Sequence, residues 1–383
     1  MKICAIICEY NPFHNGHKYL IDEAKRQSNA DAILCIMSGN FTQRGDAAVL
    51  EKHLRARHAI LSGADIVIEL PTVFATSNAE IFAKGAISLL SKIPAVKYLA
   101  FGAEYAGKDL FLQAANALIS EPQTVSSTVK TLTKNGVGYA EAIATARSKV
   151  ADERLFSSPN NILGIEYTKA IVERNAPIEI LPIQRVGAGY HDECAKEDFA
   201  SATAIRKAMR ENDLITMQAY LPEVVANDLQ FATEVNLDTF EKLSILRETP
   251  EKIAKVLDCT EGLENAFVKA ASSTLTLEES LTSPRYTAAR IRRIALQNLL
   301  NIRKELVFEC LESDLYLHPL AYKQDRAEVL STLSEATIPF LSSGIQKSKL
   351  SATATKCLAV DELAEKMYAA LTGRKYENKT HII

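Results

Sequence analysis

The sequence lacks the features of a secreted, membrane-spanning or zinc-stabilised protein. Its seven cysteines are irregularly spaced and none forms a CxxC pair, which disfavours both a disulfide framework and a thiolate zinc site. No apolar run approaches the ~18 residues of a membrane span. The apolar start, residues 3–8, is too short for a signal peptide and precedes no small-residue cleavage site. We therefore expect a soluble cytoplasmic protein that does not bind membranes.

The chain also lacks an excess of positive charge. Its formal net charge is -3, so any nucleic-acid binding must come from a local basic patch. The 383 residues are 47% hydrophobic and 24% charged, which is ordinary globular composition, and they contain no internal repeat or low-complexity tract. This length and composition allow a sizeable core and two domains.

Apolar runs that predict buried strands alternate with helical patterns through the first half of the chain. Strands are predicted at residues 3–8, 31–39, 65–71, 96–104 and 178–185, and helices at 17–28, 51–64, 78–93, 157–174 and 200–212. This alternation predicts an α/β fold with a parallel sheet and helices on both faces. After about residue 213 helical periods dominate without clear strand alternation. We therefore predict a catalytic domain at 1–219 and a mostly helical domain at 220–383.

Two histidines flank the dipeptide Asn-Gly just after the first strand, in EYNPFHNGH (Glu9–His17). Ligands of parallel sheets bind beyond the carboxyl ends of the strands, and the following helix can offer amides to an anion. His14 and His17 can donate N–H groups to phosphate oxygens, and Gly16 permits close approach. Such donors would stabilise the charge that the α-phosphate gains as pyrophosphate leaves. Histidines without a function and zinc ligands are weaker interpretations, since no other cluster has ligand spacing; we predict no metal site.

The string EYNPFHNGH resembles the H-x-G-H signature of the nucleotidylyltransferase superfamily, which class I aminoacyl-tRNA synthetases share. The second signature of that superfamily is a Ser/Thr-rich stretch ending in Ile-Arg, and SATAIR (Ser201–Arg206) resembles it. Its hydroxyls and amides at a helix N-terminus suit the β- and γ-phosphates, and Arg206 adds charge. By itself SATAIR also fits an ordinary capped helix, so the pairing with the first motif carries the argument.

Further strings resemble the bacterial tRNA(Met) cytidine acetate ligase family, in order and over nearly the whole chain. They are MSGNFTQRG (Met37–Gly45), GADIVIELP (Gly63–Pro71), FGAE (Phe101–Glu104), SPNNILGIEY (Ser158–Tyr167), RVGAGYHD (Arg185–Asp192) and RYTAARIRR (Arg285–Arg293). The resemblance implies a Rossmann-like nucleotidyltransferase sheet and a ligase that joins acetate to ATP, giving acetyl-adenylate and pyrophosphate. The acetyl group then passes to the N4 amine of the wobble cytidine of elongator tRNA(Met). Mg²⁺ is expected with ATP on chemical grounds.

The same resemblance implies which residues bind ATP. They are Ile7, Cys8, Glu9, Tyr10, Asn11, Pro12, Phe13, His14, Asn15, Gly16, His17, Lys18, Tyr19, Leu20, Gly102, Asn160, Asn161, Arg185, Ser201, Thr203 and Arg206. Of these, His14, His17 and Arg206 are implied as catalytic. Without the resemblance, Asn160 and Asn161 fit a turn with a helix cap equally well. Arg185 can meet a phosphate bidentately, although a surface salt bridge is the commoner role of a single arginine.

Two sets of polar residues follow the second strand. Gln43 and Arg44 lie where a ligand is expected, and the resemblance implies that they are close to the acetyl or cytidine pocket. Lys52, Arg55 and Arg57 belong to the next predicted helix, and we interpret them as its solvated face.

RYTAARIRR opens a basic helix with four arginines and no acidic residue. Ile291, Ile294 and Leu299 share one apolar side of that helix. We predict that the remaining side binds tRNA, with Tyr286 stacking on a base. The predicted tRNA-binding residues are Arg285, Tyr286, Arg290, Arg292 and Arg293. A core helix with solvated arginines is the alternative.

Two other functions fit part of the sequence. A small-molecule adenylyltransferase explains both ATP motifs but not the basic helix in the second half. A nucleotide- and RNA-binding protein without catalysis explains the basic helix but leaves His14 and His17 without a purpose. The identity of the tRNA, the preference for acetate and the oligomeric state stay open.

Overall fold

The structure, a computed structural model, describes residues 1–185, 201–341, 347–376 and 379–383. A seven-stranded sheet lies at the centre of this part of the chain. Its strands are β1 (Ile3–Cys8), β2 (Ala32–Ser38), β3 (Ile66–Leu70), β4 (Val96–Ala103), β5 (Glu179–Gln184), β6 (His318–Tyr322) and β7 (His381–Ile382). The spatial order is β5-β4-β1-β2-β3-β6-β7.

Helices connect and cover these strands. The chain up to residue 213 contains α1 (Asn15–Ser28), α2 (Lys52–Leu61), α3 (Thr72–Ala75), α4 (Ala79–Leu90), α5 (Lys108–Ser120), α6 (Pro122–Lys134), α7 (Tyr139–Ser148), α8 (Pro159–Glu173) and α9 (Ala202–Glu211). The later part contains α10 (Leu214–Tyr220), α11 (Glu223–Asp228), α12 (Asp238–Leu246), α13 (Pro250–Ile253), α14 (Leu263–Ala271), α15 (Leu277–Leu281), α16 (Ala288–Leu299), α17 (Lys304–Leu311), α18 (Ala327–Ser334) and α19 (Ala352–Thr372).

The first five strands form a parallel sheet, as the sequence predicts. β1 pairs with β2 on one side and with β4 on the other, and β3 and β5 extend the sheet from β2 and β4. The chain therefore builds first on one side of β1 and then on the other. This order places a topological switch point between β1 and β4, where parallel α/β sheets bind ligands.

Helices cover both faces of the sheet. Alternate residues of each strand point to opposite sides, so apolar side chains lie on both faces and each face needs cover. Ile3 and Ile7 of β1 belong to one apolar layer, which α4, α8 and α19 cover. Cys4 and Ile6 belong to the other layer, which α1, α2 and α9 cover. The predicted α/β fold with helices on both faces is confirmed.

The second half of the chain returns to this sheet. β6 runs antiparallel to β3, β7 extends it, and α19 buries Cys357 and Tyr368 in the same apolar layer as Ile3 and Ile7. The sequence analysis found no strand after residue 213, and for β6 and β7 that interpretation was wrong. Each strand is only two to five residues long, too short to show an alternating pattern.

Helices α12 to α16 form a separate group, residues 238–299, with its own apolar cluster. Phe267 of α14 packs there against Ile291 and Ile294 of α16, which confirms the predicted apolar side of the basic helix. Leu299 is only partly buried at the end of α16. In the described ranges, no helix is long and apolar enough to cross a membrane.

Candidate active site

A cleft of about 560 Å³ opens beyond the carboxyl ends of β1, β4 and β5. The N-terminal turns of α1 and α9 close one side of it. Most residues predicted to bind ATP or acetyl line this cleft: Ile7, Cys8, Glu9, Tyr10, Asn11, His14, Gly16, His17, Tyr19, Leu20, Gln43, Arg44, Gly102, Asn160, Arg185, Ser201, Thr203 and Arg206. The structure thus brings together segments that are up to two hundred positions apart in the sequence.

Five predicted residues do not line the cleft. Phe13 is fully buried in the layer under α1, and Asn161 is fully buried inside α8. Asn15 donates to the carbonyl of Ala219, and Lys18 forms an exposed ion pair. Pro12 follows a cis peptide bond and is buried. Of these residues, Pro12 and Phe13 belong to the turn between β1 and α1 that presents the two histidines.

The sequence analysis missed several residues of the cleft wall. They are Thr42, Asp46, Ala79, Phe82, Phe101, Pro159, Ile162, Leu163, Tyr167, Ile183, Gln184 and Ala202. Most are apolar side chains from α4, β4 and α8, whose sequence pattern is that of ordinary core residues. Seven of them lie in strings quoted for the family resemblance, namely Thr42, Phe101, Pro159, Ile162, Leu163, Tyr167 and Ala202, whereas Asp46, Ala79, Phe82, Ile183 and Gln184 do not.

The two histidines of the H-x-G-H motif form a fixed pair. His14 is the N-cap of α1, and its backbone N–H donates to Nδ1 of His17 over 3.2 Å. The rings are stacked with centroids 3.6 Å apart. Since Nδ1 of His17 accepts a hydrogen bond, the neutral ring carries its proton on Nε2.

Burial keeps both imidazoles neutral. Together with the charge of Arg185, it lowers the pKa of His14 to about 3. Burial, then His14 and Arg185, lower the pKa of His17 well below its ordinary value. Nδ1 of His14 is buried and has no hydrogen-bond partner in the described part of the chain. A neutral, oriented ring with an unpaired nitrogen is suited to binding a ligand atom.

The second motif contacts the first directly. Ser201 caps α9 by accepting from the backbone N–H of Ala204 over 3.1 Å. Nη1 of Arg206 donates to the carbonyl of Asn11 over 2.7 Å, and Nη2 donates to the hydroxyl of Thr203 over 3.3 Å. Arg206 therefore holds the start of α9 against the loop before α1. The N-termini of both helices thus face one cleft.

Glu104 organises the opposite wall. It accepts from Nδ2 of Asn160 over 2.7 Å and lies 3.4 Å from Nε of Arg185. Its backbone N–H donates to Oδ1 of Asn161 over 2.9 Å, and Ser158 donates to its carboxylate. Asn161 is therefore a structural residue, whereas Asn160 and Arg185 face the cleft. Residues 186–192 of the RVGAGYHD string lie outside the described residues.

Residues 42–46 form a tight turn on the β2 side of the cleft. The backbone N–H of Thr42 donates to the carbonyl of Asp46 over 2.9 Å. The backbone N–H of Gly45 donates to the carbonyl of Thr42 over 3.0 Å, which closes the turn. The N–H of Gln43 donates to Oε1 of Glu9 over 2.7 Å, which joins this turn to the end of β1. Burial raises the pKa of Glu9 despite this bond. Arg44 at the tip adds a positive charge to the cleft.

The interpretation of Lys52 and Arg55 as solvated was wrong. Arg55 is fully buried and donates to the carbonyls of Glu9, Gly39 and Leu50, which ties the ends of β1 and β2 together. Lys52 is 2% exposed. Arg57, with 41% of its side chain exposed, fits the interpretation.

Lys52 is buried because two carboxylates accompany it. Its Nζ lies 3.0 Å from Glu69 and 2.6 Å from Glu365 of α19. Burial alone would lower the pKa of Lys52, but the two carboxylates hold it above its ordinary value. Burial alone would likewise raise the pKa of Glu69, yet Lys52 and His318 lower it to about 2.

The arginines of the basic segment have different environments. Arg285 is exposed and pairs with Glu261, and the guanidinium groups of Arg285 and Arg290 lie 5.7 and 5.2 Å from the ring of Tyr286. Arg290 also donates to the carbonyl of Asp258. Arg292 and Arg293 instead reach the carbonyls of residues 44 and 43. The predicted tRNA-binding residues therefore do not form one exposed patch.

Among the described residues, no cluster of three or more His, Cys, Asp or Glu could hold a metal ion. In the described part of the chain, Glu9 and Asp46 are the carboxylate residues that line the cleft directly.

The parallel sheet, the H-x-G-H histidines at its switch point and the paired second motif define a nucleotidyltransferase. A family model described as HIGH Nucleotidyl Transferase matches residues 1–381. A tRNA(Met) cytidine acetate ligase from Thermoanaerobacter sp. (strain X514) is 36% identical over 368 residues, covering 92% of either chain. One from Clostridium perfringens (strain ATCC 13124) is 32% identical, covering 100% of this chain and 98% of the relative. The chain belongs to the tRNA(Met) cytidine acetate ligase family.

Solved structures agree. The chain is similar to Thermotoga maritima TmcAL bound with alpha-thio ATP, with a TM-score of 0.88, 27% identity and full coverage of both chains. The apo form of that protein gives the same TM-score at 28% identity. The resemblance stated from the sequence motifs is therefore confirmed.

Proposed function

We propose that this protein is an ATP-dependent ligase that acetylates the wobble cytidine of elongator tRNA(Met) at N4. In the first step an oxygen of acetate attacks the α-phosphorus of ATP, and pyrophosphate leaves. In the second step the N4 amine attacks the acetyl carbon, and AMP leaves as the amine loses a proton. Adenylation is needed because acetate itself has no usable leaving group. The single observation that carries the proposal is that both nucleotidyltransferase motifs meet in one cleft of a chain that belongs to this ligase family.

The residues of the cleft suit the first step. Nε2–H of His17 and the unpaired nitrogen of His14 can contact the phosphates at the N-terminus of α1. Because both rings are neutral and already oriented, they stabilise developing charge without reorganising. Arg185 and Arg206 surround them with positive charge that suits a triphosphate.

We propose that Mg²⁺ enters with ATP, bound mainly through the phosphates, as is usual for this ion. Glu9 is a cleft carboxylate that would share it. We propose a cytoplasmic location because the proposed substrates, ATP and tRNA, occur there. No serine or cysteine nucleophile is required, so we expect no covalent acetyl-enzyme.

We propose that the tRNA-binding role predicted for residues 220–383 begins at the exposed start of the basic segment. Arg285 is the most exposed of its arginines, with 62% of the side chain accessible, and the guanidinium groups of Arg285 and Arg290 lie 5.7 and 5.2 Å from the ring of Tyr286. This arrangement offers charge for a phosphate and a ring for an unpaired base.

The test measures both half-reactions on the purified protein. Pyrophosphate release from ATP should require acetate and should proceed without tRNA. Labelled acetate should then appear as N4-acetylcytidine in a tRNA(Met) transcript, and not in a transcript whose wobble cytidine is replaced by uridine. Pyrophosphate release with another small substrate but not with acetate would favour a small-molecule adenylyltransferase. Binding of ATP and tRNA without any pyrophosphate release would favour a non-catalytic binding protein.

A further inference from the structure

Helix α16 lies against the 42–46 turn of the cleft wall, although the sequence analysis favours a tRNA-binding role for this helix. Nε of Arg292 donates to the carbonyl of Arg44 over 3.1 Å, and Nη1 of Arg293 donates to the carbonyl of Gln43 over 3.3 Å. Arg292 also lies 3.1 Å from the carboxylate of Asp46. Both arginines therefore hold the 42–46 turn, whose side chains line the cleft.

Gly45 shows how closely the turn is seated on α16. A Cβ added at this position would lie 2.6 Å from the backbone of Arg292 and Arg293. The residue also has a φ of +82°, which disfavours any side chain. The contact between turn and helix is therefore made by backbone as well as by guanidinium groups.

The same helix holds the start of α4 on the next side of the cleft. Nε2 of Gln297, which is 1% exposed, donates to the carbonyl of Thr76 over 2.8 Å. Asp258 accepts from Nδ2 of Asn78, the N-cap of α4, over 3.0 Å and lies 3.9 Å from Arg293. Ala79 and Phe82, at the start of α4, line the cleft.

We propose that Arg292, Arg293 and Gln297, here named the α16 brace, are positioning residues for the adenylation cleft. This inference rests on the proposed function and adds a role for the helical group in the first half-reaction. The brace fixes the turn that carries Gln43 and Arg44, while the phosphate motifs at α1 and α9 are held by other contacts. Loss of the brace should therefore raise the KM for acetate more than the KM for ATP.

The first measurement does not depend on catalysis. Hydrogen–deuterium exchange of residues 40–48 is compared between wild type, Arg293→Ala and Gly45→Ala. The backbone amides of Thr42 and Gly45 should exchange faster in both variants. Arg293→Ala removes the bond from α16 to the Gln43 carbonyl, and Gly45→Ala pushes the turn away from the α16 backbone. Gly45→Ala removes no charge, so its effect cannot come from lost tRNA contacts.

The second measurement is acetate-dependent pyrophosphate release without tRNA. Arg293→Ala and Gly45→Ala should raise the KM for acetate about tenfold or more, because small misplacements of a substrate-binding group cost factors of this size. The KM for ATP should change less than threefold. Arg293→Lys, which keeps one donor for the Gln43 carbonyl, should recover part of the acetate KM. The matched control is Arg247→Ala, an exposed arginine of the same helical group.

Two results would contradict the positioning role of the α16 brace. If Arg293→Ala lowers tRNA affinity but leaves exchange and pyrophosphate release at wild-type values, the residue is a tRNA contact. If kcat and both KM values change together with a lower Tm, α16 has only a general structural role. Failure of the wild type to release pyrophosphate with acetate would contradict the proposed function instead, and the exchange result would still decide whether the brace holds the turn.

Discussion

His17 accepts the backbone N–H of His14 at Nδ1, and this bond leaves Nε2–H as its donor. The bond also satisfies the N-cap amide of α1, in the way that a Glu or Gln at the third helical position does. The residue thus has a structural and a chemical role on different atoms of one ring. A suitable substitution should separate the two.

We expect His17→Gln to fold normally and to lose adenylation. The glutamine oxygen can accept the N-cap amide, whereas the oriented ring N–H is gone. Loss of one such donor costs about 3 kcal/mol in the barrier, or a hundredfold or more in rate. ATP–pyrophosphate exchange measures the effect, with Tm as the folding check and Lys25→Ala, an exposed change on α1, as the control. An exchange rate close to that of wild type would remove His17 from the catalytic group.

At the scale of elements, α2 is placed by charges that come from far along the chain. Its Lys52 is enclosed by Glu69 of β3 and Glu365 of α19, whereas Arg57 on the same helix is partly exposed. Removing one member of a buried ion pair leaves an uncompensated charge, while an exposed pair contributes little. The two cations of α2 therefore allow a direct comparison.

We predict that Lys52→Met lowers the free energy of unfolding by about 3–5 kcal/mol. Arg57→Ala should lower it by no more than about 1 kcal/mol. Urea unfolding of both variants measures the difference. Adding Glu365→Gln to Lys52→Met should recover part of the loss, because it removes one unpaired carboxylate. Equal effects of the two single changes would contradict the burial of Lys52.

The exposed start of the basic segment, just before α16, carries Arg285 and Tyr286. We expect Arg285→Ala to reduce the slope of log affinity for tRNA against log salt by about one, since one phosphate contact is lost. Tyr286→Ala should weaken binding by about 1–3 kcal/mol, as loss of base stacking does, with little change in that slope. Titrations between about 50 and 200 mM salt measure both. An unchanged slope for Arg285→Ala would mean that this surface does not bind the tRNA backbone.

At the scale of the whole molecule, the division at residue 219/220 does not coincide with the core. β6 completes the sheet beside β3, and α19 supplies Cys357 and Tyr368 to the layer formed by β1 and α4. The helical group 238–299 has an apolar cluster of its own. The predicted boundary stays a hypothesis about where the two half-reactions divide.

We therefore expect a fragment of residues 1–219 to be unstable by itself. Without β6 and α19 it exposes the edge of β3 and leaves Lys52 beside Glu69 without Glu365. Limited proteolysis should digest the fragment rapidly, and urea unfolding should show no cooperative transition. Co-expression with residues 220–383 should restore one. A cooperative transition of the isolated fragment would show that its core does not need the second half.

The sequence alone determined the parallel strands and the place of both motifs, because local periodicity encodes which faces are buried. The string at the end of the first predicted strand located His14 and His17, and the resemblance of SATAIR to the second signature of the superfamily added Arg206. Only the tertiary structure decided the partners of Lys52, Arg292 and Arg293. Glu365 reaches Lys52, and the carbonyls of residues 44 and 43 reach Arg292 and Arg293, from more than two hundred positions away, and no local pattern carries that information. For the same reason the short strand β6 and the contact of α16 with the 42–46 turn became visible only in the folded chain.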